Sequence, residues 1–195
     1  MYDQLRKNFE AKLNSKLSAN EYEQISQLFK KATFNKGAFL SEEGKKCDDI
    51  YFIEEGSCYS YLTDTKGDKN VVQFALEDYW ISDLYGFFSG NKALYTIETI
   101  EKCSVLKLSK NNFDKICNSS PNFDRFFRLL IQSAYVAVQY RLVKTKGEEA
   151  ERRYEEFSKL HPKFAQRIPQ YLIASYLGIR PQSLSRIRKD LVQKR

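Results

Sequence analysis

The chain has 195 residues, of which 42% are hydrophobic and 14% aromatic, and its formal net charge is +7 at pH 7. This composition provides enough apolar side chains for a folded core and excludes a disordered chain. No apolar run reaches the roughly 18 residues of a membrane span, and the polar N-terminus lacks the apolar segment of a signal peptide. We therefore expect a cytoplasmic protein without a membrane partner.

The residues that usually carry catalysis or bind metals are few and widely spaced. His161 is the only histidine, which argues against His-pair metal sites and a Ser-His-Asp triad within one chain. The four cysteines form no C-x-x-C pair, so we expect them to be small buried residues: Cys47, Cys58, Cys103 and Cys117. P-loop and G-x-G-x-x-G motifs are also missing. The sequence predicts no enzyme, no catalytic residue, no metal and no cofactor.

In chain order, residues 1–31 have the apolar spacing of helices. Ser18 with Glu21 has the form of a capping box, ahead of apolar positions on one face: Tyr22, Ile25, Leu28 and Phe29. From Ala32 to about Ser109, short β-type runs alternate with turns: ATF, AFL, IYFIEEG, CYSYLT, NVVQFAL, YTIETI and SVLKLS. This spacing indicates an antiparallel barrel or sandwich, interrupted by a short helix at Ser82–Phe88.

Helices are predicted for the rest of the chain. Ser109 opens a short one, and Pro121 opens a long one that runs to about Thr145. Apolar residues of the long helix are spaced 4, 3, 4 and 3, as in a coiled-coil dimer: Phe123, Phe127, Leu130, Ala134 and Ala137. The alternative is a helix that packs only on its own domain. Lys144–Gly147 is predicted as a hinge, followed by a helix from Glu148 to about Leu160.

The excess positive charge lies at the end of the chain. Residues 141–195 contain 14 Lys+Arg and 6 Asp+Glu, a net charge of +8, whereas residues 1–140 contain 18 and 19, a net charge of −1. This asymmetry indicates a basic module that meets a polyanion, joined to a near-neutral module with another task. A merely solvated basic surface is the alternative.

Two helices joined by a tight turn are predicted within this basic region, at Pro169–Leu177 and Pro181–Val192. Ala174 permits a close helix crossing and Gly178 permits positive φ at the turn. Apolar residues fall where the helices would touch: Ile173, Leu177, Ile179, Leu184 and Ile187. This set is typical of a helix-turn-helix, whose second helix enters the major groove of double-stranded DNA. We predict base contacts from Gln182, Ser185, Arg186 and Lys189, with Arg188 beside them, and phosphate contacts from Arg180 and Ser183.

Both halves resemble the Crp/Fnr family of transcription regulators, over about residues 15–193. The resemblance depends on FNKGAFLSEEGKKCDDIYFIEEGSCYSYL in the first half and on IASYLGIRPQSLSRIRKDL in the second. It implies an α+β protein with a cyclic-nucleotide-binding-like β-barrel (a double-stranded β-helix) and a long dimerisation helix. It also implies a C-terminal all-α helix-turn-helix domain, here with little or no β-wing. The implied domains are residues 1–120, 121–146 and 147–195.

The resemblance also locates the pocket in which this family holds a cyclic nucleotide. The matching segment is WISDLYGFFSGNKALYTIETI, with ligand-site candidates Ser82, Asp83, Leu84, Lys92, Leu94 and Tyr95. Ser82-Asp83 replaces the family's Gly-Glu pair, so Asp83 would reach less far toward a ribose hydroxyl. The phosphate-binding arginine is missing at Ala93 or Leu94, and Lys92 lacks the planar fork of arginine. We therefore expect an effector other than cyclic AMP, or none.

The sequence thus predicts a homodimeric, sequence-specific DNA-binding regulator with an unknown small-molecule effector. RNA polymerase is a further candidate partner. The alternative is a small-molecule-sensing module whose basic helical tail binds a protein or an acidic surface.

Overall fold

Two helices open the chain in the computed structural model, which describes residues 2–193 without the side chains at positions 146 and 192. Residues 1, 194 and 195 of the predicted domain ranges lie outside that description. Helix α1 spans Asp3–Leu13 and α2 spans Ala19–Ser26. The predicted helix start is confirmed, because the Ser18 hydroxyl accepts a hydrogen bond of 3.1 Å from the N–H of Glu21.

Eight antiparallel strands follow and form two sheets. Their bounds are β1 Lys30–Phe34, β2 Phe39–Ser41, β3 Asp49–Glu55, β4 Cys58–Thr63, β5 Lys69–Ala75, β6 Trp80–Ile81, β7 Thr96–Thr99 and β8 Cys103–Ser109. One sheet has the order β1-β8-β3-β6 and the other β2-β7-β4-β5. The predicted antiparallel β domain is confirmed as a roll of two sheets. Strand β6 is not among the predicted strands because two residues show no alternation.

The turn between β3 and β4 depends on Gly56. Its φ is +95°, and a Cβ at this position would lie 2.4 Å from the carbonyl oxygen of Lys102 and 2.8 Å from Sγ of Cys103. Glycine is the residue that tolerates both this backbone conformation and this close approach. Gly56 therefore lets the β3–β4 turn press against the start of β8.

Three helices flank the strands: α3 Leu84–Ser89, α4 Lys110–Ser119 and α5 Pro121–Gly147. Serines cap the second and third of them, and α5 begins with a proline, as predicted. The 27 residues of α5 make it about 40 Å long. The predicted helix stop at Gly147 is confirmed, since α5 ends there. The other residues of the predicted hinge, from Lys144 on, form the last turn of α5, and the N–H of Glu148 bonds to the carbonyl of Lys144.

An aromatic cluster around Trp80 joins the helices to the β-roll. The Trp80 ring centroid lies 5.7 Å from that of Phe126 and 5.2 Å from that of Phe127, both on α5. It also lies 6.1 Å from Phe9 of α1 and 5.2 Å from Phe52 of β3. Such tilted and edge-to-face pairs stabilise beyond the area they bury. The start of α5 is thereby fixed on the β-roll.

Four helices make the C-terminal domain: α6 Ala150–Leu160, α7 Pro162–Arg167, α8 Gln170–Leu177 and α9 Pro181–Gln193. The last two are the predicted helix-turn-helix pair. Helix α7 is not predicted, since it has only six residues and its first, Pro162, is interpreted in the sequence as part of the stop of α6. Within residues 2–193 no strand follows Ser109, so the domain has no β-wing there.

Helix α8 covers the free edge of strand β5. The Ser175 hydroxyl accepts a hydrogen bond of 3.0 Å from the N–H of Val71 and donates one of 2.7 Å to the carbonyl of Lys69. An unpaired strand edge is otherwise open to association with other chains. The C-terminal domain thus pairs two backbone groups of this edge.

Arg167 of α7 adds an ionic contact between the two domains. Its guanidinium lies 2.6 Å from the Glu77 carboxylate and also binds the Glu101 carboxylate. Burial acts to raise the pKa of Glu77, but hydrogen bonds from Arg167 and from backbone N–H groups outweigh it and leave that pKa below its ordinary value. Beside this pair, the rings of Phe74 and Phe164 are 6.0 Å apart across the same boundary.

Gly56→Ala should lower the free energy of unfolding by more than about 3 kcal/mol, because the left-handed backbone and the collision with Lys102 add together. Chemical denaturation of the purified variant measures this loss. Gly37→Ala is the matched control, since Gly37 also has positive φ, +77°, but its Cβ would meet no atom within 4 Å. We expect about 1–2 kcal/mol there. Equal losses in the two variants would contradict the close approach.

Candidate DNA-binding surface and ligand site

The turn between α8 and α9 has the predicted geometry. Gly178 ends α8 with φ +64°, and the N–H of Ile179 bonds to the carbonyl of Ala174 at 2.9 Å. Ala174 is fully buried at the crossing. The apolar residues predicted at the helix contact are all buried: Ile173, Leu177, Ile179, Leu184 and Ile187. The two helices are therefore held in one fixed relation by their own small core.

The residues predicted to contact DNA lie on α9, except Arg180, which directly precedes it. Ser183 is half-buried, and the others are exposed: Arg180, Gln182, Ser185, Arg186, Arg188 and Lys189. Within residues 2–193, none of these side chains forms a hydrogen bond or an ion pair with the rest of the chain. At 3.6 residues per turn, Gln182, Ser185, Arg186 and Lys189 share one accessible face of this basic helix, with Ser183 and Arg188 on its two flanks.

The segment predicted to hold a nucleotide contains a buried carboxylate. Asp83 has no exposed surface, and its Oδ1 accepts a hydrogen bond of 2.8 Å from the N–H of Gly86 in α3. Its Oδ2 accepts bonds of 2.6 and 2.8 Å from the N–H groups of Leu94 and Tyr95. Three backbone donors therefore converge on one internal anion. Both oxygens of this ligand-site candidate are therefore bonded to the backbone of the chain, which argues against a contact with a ribose hydroxyl.

The other predicted ligand residues do not assemble a phosphate site. Lys92 is exposed and Ala93 is buried, while Leu94 is 45% exposed. Lys92 forms no ion pair within the described residues, and its backbone pairs with that of Lys46 at the surface. Tyr95 is half-buried and, like Leu94, binds Asp83 through its backbone. A phosphate placed here would meet a buried carboxylate and no fixed cation, which is costly.

A groove with a volume of about 660 Å³ lies between α5 and the β-roll. Of the predicted ligand residues, Ser82 and Leu84 line it, and the Ser82 hydroxyl donates to the carbonyl of Asp49 at 2.8 Å. Its remaining lining comes from α1, β5, β6, α5 and the C-terminal domain, and is mostly apolar. The groove has the size of a small-molecule site.

The predicted dimer stripe of α5 is buried at its start and exposed at its end. Phe123 and Phe127 are 1% and 2% exposed and belong to the aromatic core, so their prediction as interface residues is wrong. Leu130, Ala134 and Ala137 continue the same stripe along the groove, where Leu130 is half-buried and both alanines are exposed. Their place in a dimer interface stays a prediction. A 4-3-4-3 spacing identifies one packed face of a helix but not the surface that packs on it.

A row of large exposed apolar side chains lies on the other side of α5. Tyr135 and Val136 are 63% and 66% exposed, and Leu142 and Val143 are 50% and 68% exposed. At 3.6 residues per turn these four positions point away from Ala134 and Ala137. Tyr135 and Leu142 are seven residues apart, and so are Val136 and Val143. This heptad spacing is the signal in the sequence that could have identified this face.

Two basic residues line the groove but are not among the predicted site residues: Arg141 and Lys12. Arg141 lies one step beyond Ala137 on the predicted stripe, which is the sequence signal that could have pointed to it. Its Nη1 donates to the carbonyl of Val72 at 2.6 Å, and its guanidinium lies 4.6 Å from the ring centroid of Tyr176. Lys12 of α1 lies across the groove, and no pattern in α1 marks it.

The comparisons with known proteins agree with this architecture. Residues 31–120 match the family model of the cyclic nucleotide-binding domain. FixK2 from Bradyrhizobium japonicum has a TM-score of 0.75, with 17% identity over 85% of each chain. A structure from Eubacterium rectale, described as a crp/fnr-family transcriptional regulator, has a TM-score of 0.68 with 14% identity, covering 91% of this chain and 85% of its own. The chain is Crp/Fnr-like in fold.

The regulator CLP of Xanthomonas campestris has the same fold, with a TM-score of 0.70 and 12% identity over 91% of this chain and 93% of its own. No curated protein matches the sequence. The resemblance drawn from the two quoted sequence segments is thus confirmed at the level of fold. Among the helices that the structure describes, none is both long and apolar enough to cross a membrane.

Asp83→Ala should lower the free energy of unfolding by about 3 kcal/mol, because it leaves three backbone N–H groups without their charged acceptor in a buried site. Thermal and chemical denaturation measure the loss. The control is Asp64→Ala, since Asp64 also accepts two backbone bonds, of 2.9 and 3.0 Å, but in an exposed hairpin turn where water can replace it. An equal effect of both variants would show that Asp83 is not the buried anchor of its loop.

Proposed function

We propose that the chain is a homodimeric regulator that binds specific sequences of double-stranded DNA, and that it is not an enzyme. The observation that carries this proposal is the exposed, unpaired polar and basic face of α9, held in fixed orientation by the buried turn Ala174–Gly178. A helix presented in this way can enter the major groove, where arginine and glutamine distinguish bases by paired hydrogen bonds.

The distribution of charge supports a nucleic acid as the partner. Residues 141–195 carry 14 Lys+Arg against 6 Asp+Glu. Such a basic module gains affinity by releasing counterions from the DNA backbone, so its binding falls steeply as salt rises. A basic tail that binds an acidic protein would also weaken in salt, but it would not discriminate between base pairs.

The effector is proposed to be something other than cyclic AMP. The family's pocket segment is closed around the Asp83 carboxylate, whose three backbone donors are the groups that an incoming phosphate would need. A cyclic phosphate would have to displace a buried internal anion without help from an arginine. Sensing by this chain therefore requires another space in the molecule.

Dimerisation is proposed through the exposed face of α5. Tyr135, Val136, Leu142 and Val143 form an apolar strip on a helix that projects beyond the aromatic core. Two such helices packed together would present two copies of α9 to half-sites about one helical turn, ~34 Å, apart.

The double variant Val136→Glu/Val143→Glu should be a monomer at micromolar concentration, because four like charges would face each other at one seam. Light scattering of the purified protein measures this. Ala134→Gln, on the opposite face of the same helix, is the control and should leave the wild-type mass unchanged. A wild-type protein that is already monomeric would refute the proposed dimer.

Arg186→Ala should lose discrimination at one position of the binding site, costing about 1–3 kcal/mol against the preferred base pair. Ser183→Ala should weaken binding to all sequences alike, since a hydroxyl near the helix N-terminus holds backbone phosphate. Duplexes selected from a random pool, followed by binding titrations at fixed salt, provide the measurement. Arg125→Ala, which removes an exposed cation of α5 far from α9 in the sequence, is the control. An unchanged ranking of site variants with Arg186→Ala would argue against the placement of α9 in the groove.

A further inference from the structure

The groove between α5 and the β-roll combines an apolar lining with unpaired positive charge. Trp80, Phe126, Phe127 and Leu130 line one end, and Arg141 lies toward the other. Since α5 rises 1.5 Å per residue, the 15 steps from Phe126 to Arg141 make the groove about 22 Å long. Its shape therefore suits an elongated ligand.

The charges in the groove are not balanced by the chain. Neither Arg141 nor Lys12 forms an ion pair within residues 2–193, although both line the groove and both are half-buried. Lys12 donates to the hydroxyl of Ser133, and Arg141 uses one N–H on the Val72 carbonyl. Asp78 is the one acidic residue among the described lining, and it is exposed. The groove is thus complementary to an anion.

Arg141 is the better placed of the two cations. Stacking on Tyr176 and the bond to Val72 hold its guanidinium in one orientation, and a guanidinium has further N–H groups for a carboxylate. His161 at the same end adds no charge near neutral pH, because burial lowers its pKa. One fixed cation at one end of a long apolar groove matches one acid group on an apolar chain.

We propose that this groove binds an elongated, mostly apolar carboxylic acid, with its carboxylate on Arg141 and its chain extending past Ala137 toward Trp80. The site is distinct from the family's nucleotide pocket, since Asp83, Lys92, Leu94 and Tyr95 do not line it. Phe157, Phe164 and Tyr176 of the C-terminal domain do line it, so the ligand contacts both domains. Its action as an effector rests on the proposed DNA-binding function, whereas binding itself does not.

The test uses the fluorescence of Trp80, the single tryptophan of the chain, as a direct report on the groove. The full-length protein is titrated, without DNA, with dodecanoate and with dodecylammonium, each kept below its micelle concentration. Dodecanoate should give a saturable change, and dodecylammonium, with the same chain and opposite charge, should bind at least tenfold more weakly. Equal binding of both, or no saturable change with dodecanoate, would overturn the proposal.

Two variants locate the carboxylate. Arg141→Gln, which keeps a donor for the Val72 carbonyl, should weaken dodecanoate binding about tenfold, because charge-assisted bonds are the strong class. Arg128→Gln, an exposed arginine on the opposite face of α5, should leave it unchanged. Ala137→Phe should abolish binding in calorimetry by filling the groove, with its melting curve checked for folding. Equal loss in Arg141→Gln and Arg128→Gln would refute the assignment of the acid to Arg141.

A last titration separates binding from regulation. Dodecanoate should change the affinity for the selected duplex in the wild type but not in Arg141→Gln. Binding without any change in DNA affinity would overturn the effector role. A protein that binds dodecanoate but no DNA would instead overturn the proposed function and leave the site intact.

Discussion

The packing of Trp80 against the first turns of α5 is the contact on which the rest of the molecule depends. Trp80 comes from a two-residue strand, yet its ring touches α1, β3 and α5 at once. Its indole N–H donates to Asn8 of α1 at 3.0 Å, so the ring is satisfied as well as buried. Because this cluster fixes the base of α5, the later turns of the helix project along the β-roll and carry the C-terminal domain with them.

That anchoring gives the two faces of α5 different roles. Phe123, Phe126 and Phe127 complete the core, and the same stripe then widens into small residues, Ala134 and Ala137, which leave space instead of filling it. The opposite face exposes Tyr135, Val136, Leu142 and Val143 over the same length. Large exposed apolar side chains in a row are typical of a covered surface. The helix therefore separates a groove within the chain from a surface that suits a second copy.

Local patterns in the sequence predict the parts of this structure that local physics determines. The Ala174–Gly178 frame, the capping serines and most of the strands depend on neighbours within a few residues, and they are where the sequence places them. The stripe on α5 is visible too, but its period cannot tell a strand of the same chain from a helix of a partner. The role of Asp83 is harder to predict, since a carboxylate in this segment indicates a polar contact to a ligand. Its partners, the N–H groups of Leu94 and Tyr95, come close to it only in the folded chain. The groove joins residues from position 8 to position 176 and leaves no local signal.

Any signal that reaches α9 must act on contacts that cross between the two domains, because a ligand shifts an equilibrium only by binding its states unequally. Those contacts include the packing of Phe74 on Phe164 and Tyr176. The polar ones are Ser175 on the edge of β5, Arg167 between Glu77 and Glu101, and Arg141 between Val72 and Tyr176. The donors around Asp83 take part in none of them. Arg141 does, and it also lines the groove, so an anion on its remaining N–H groups would bind the same guanidinium that contacts Val72 and Tyr176. The geometry thus connects occupancy of the groove with the position of α8, and through the turn at Gly178 with the helix that is proposed to meet DNA.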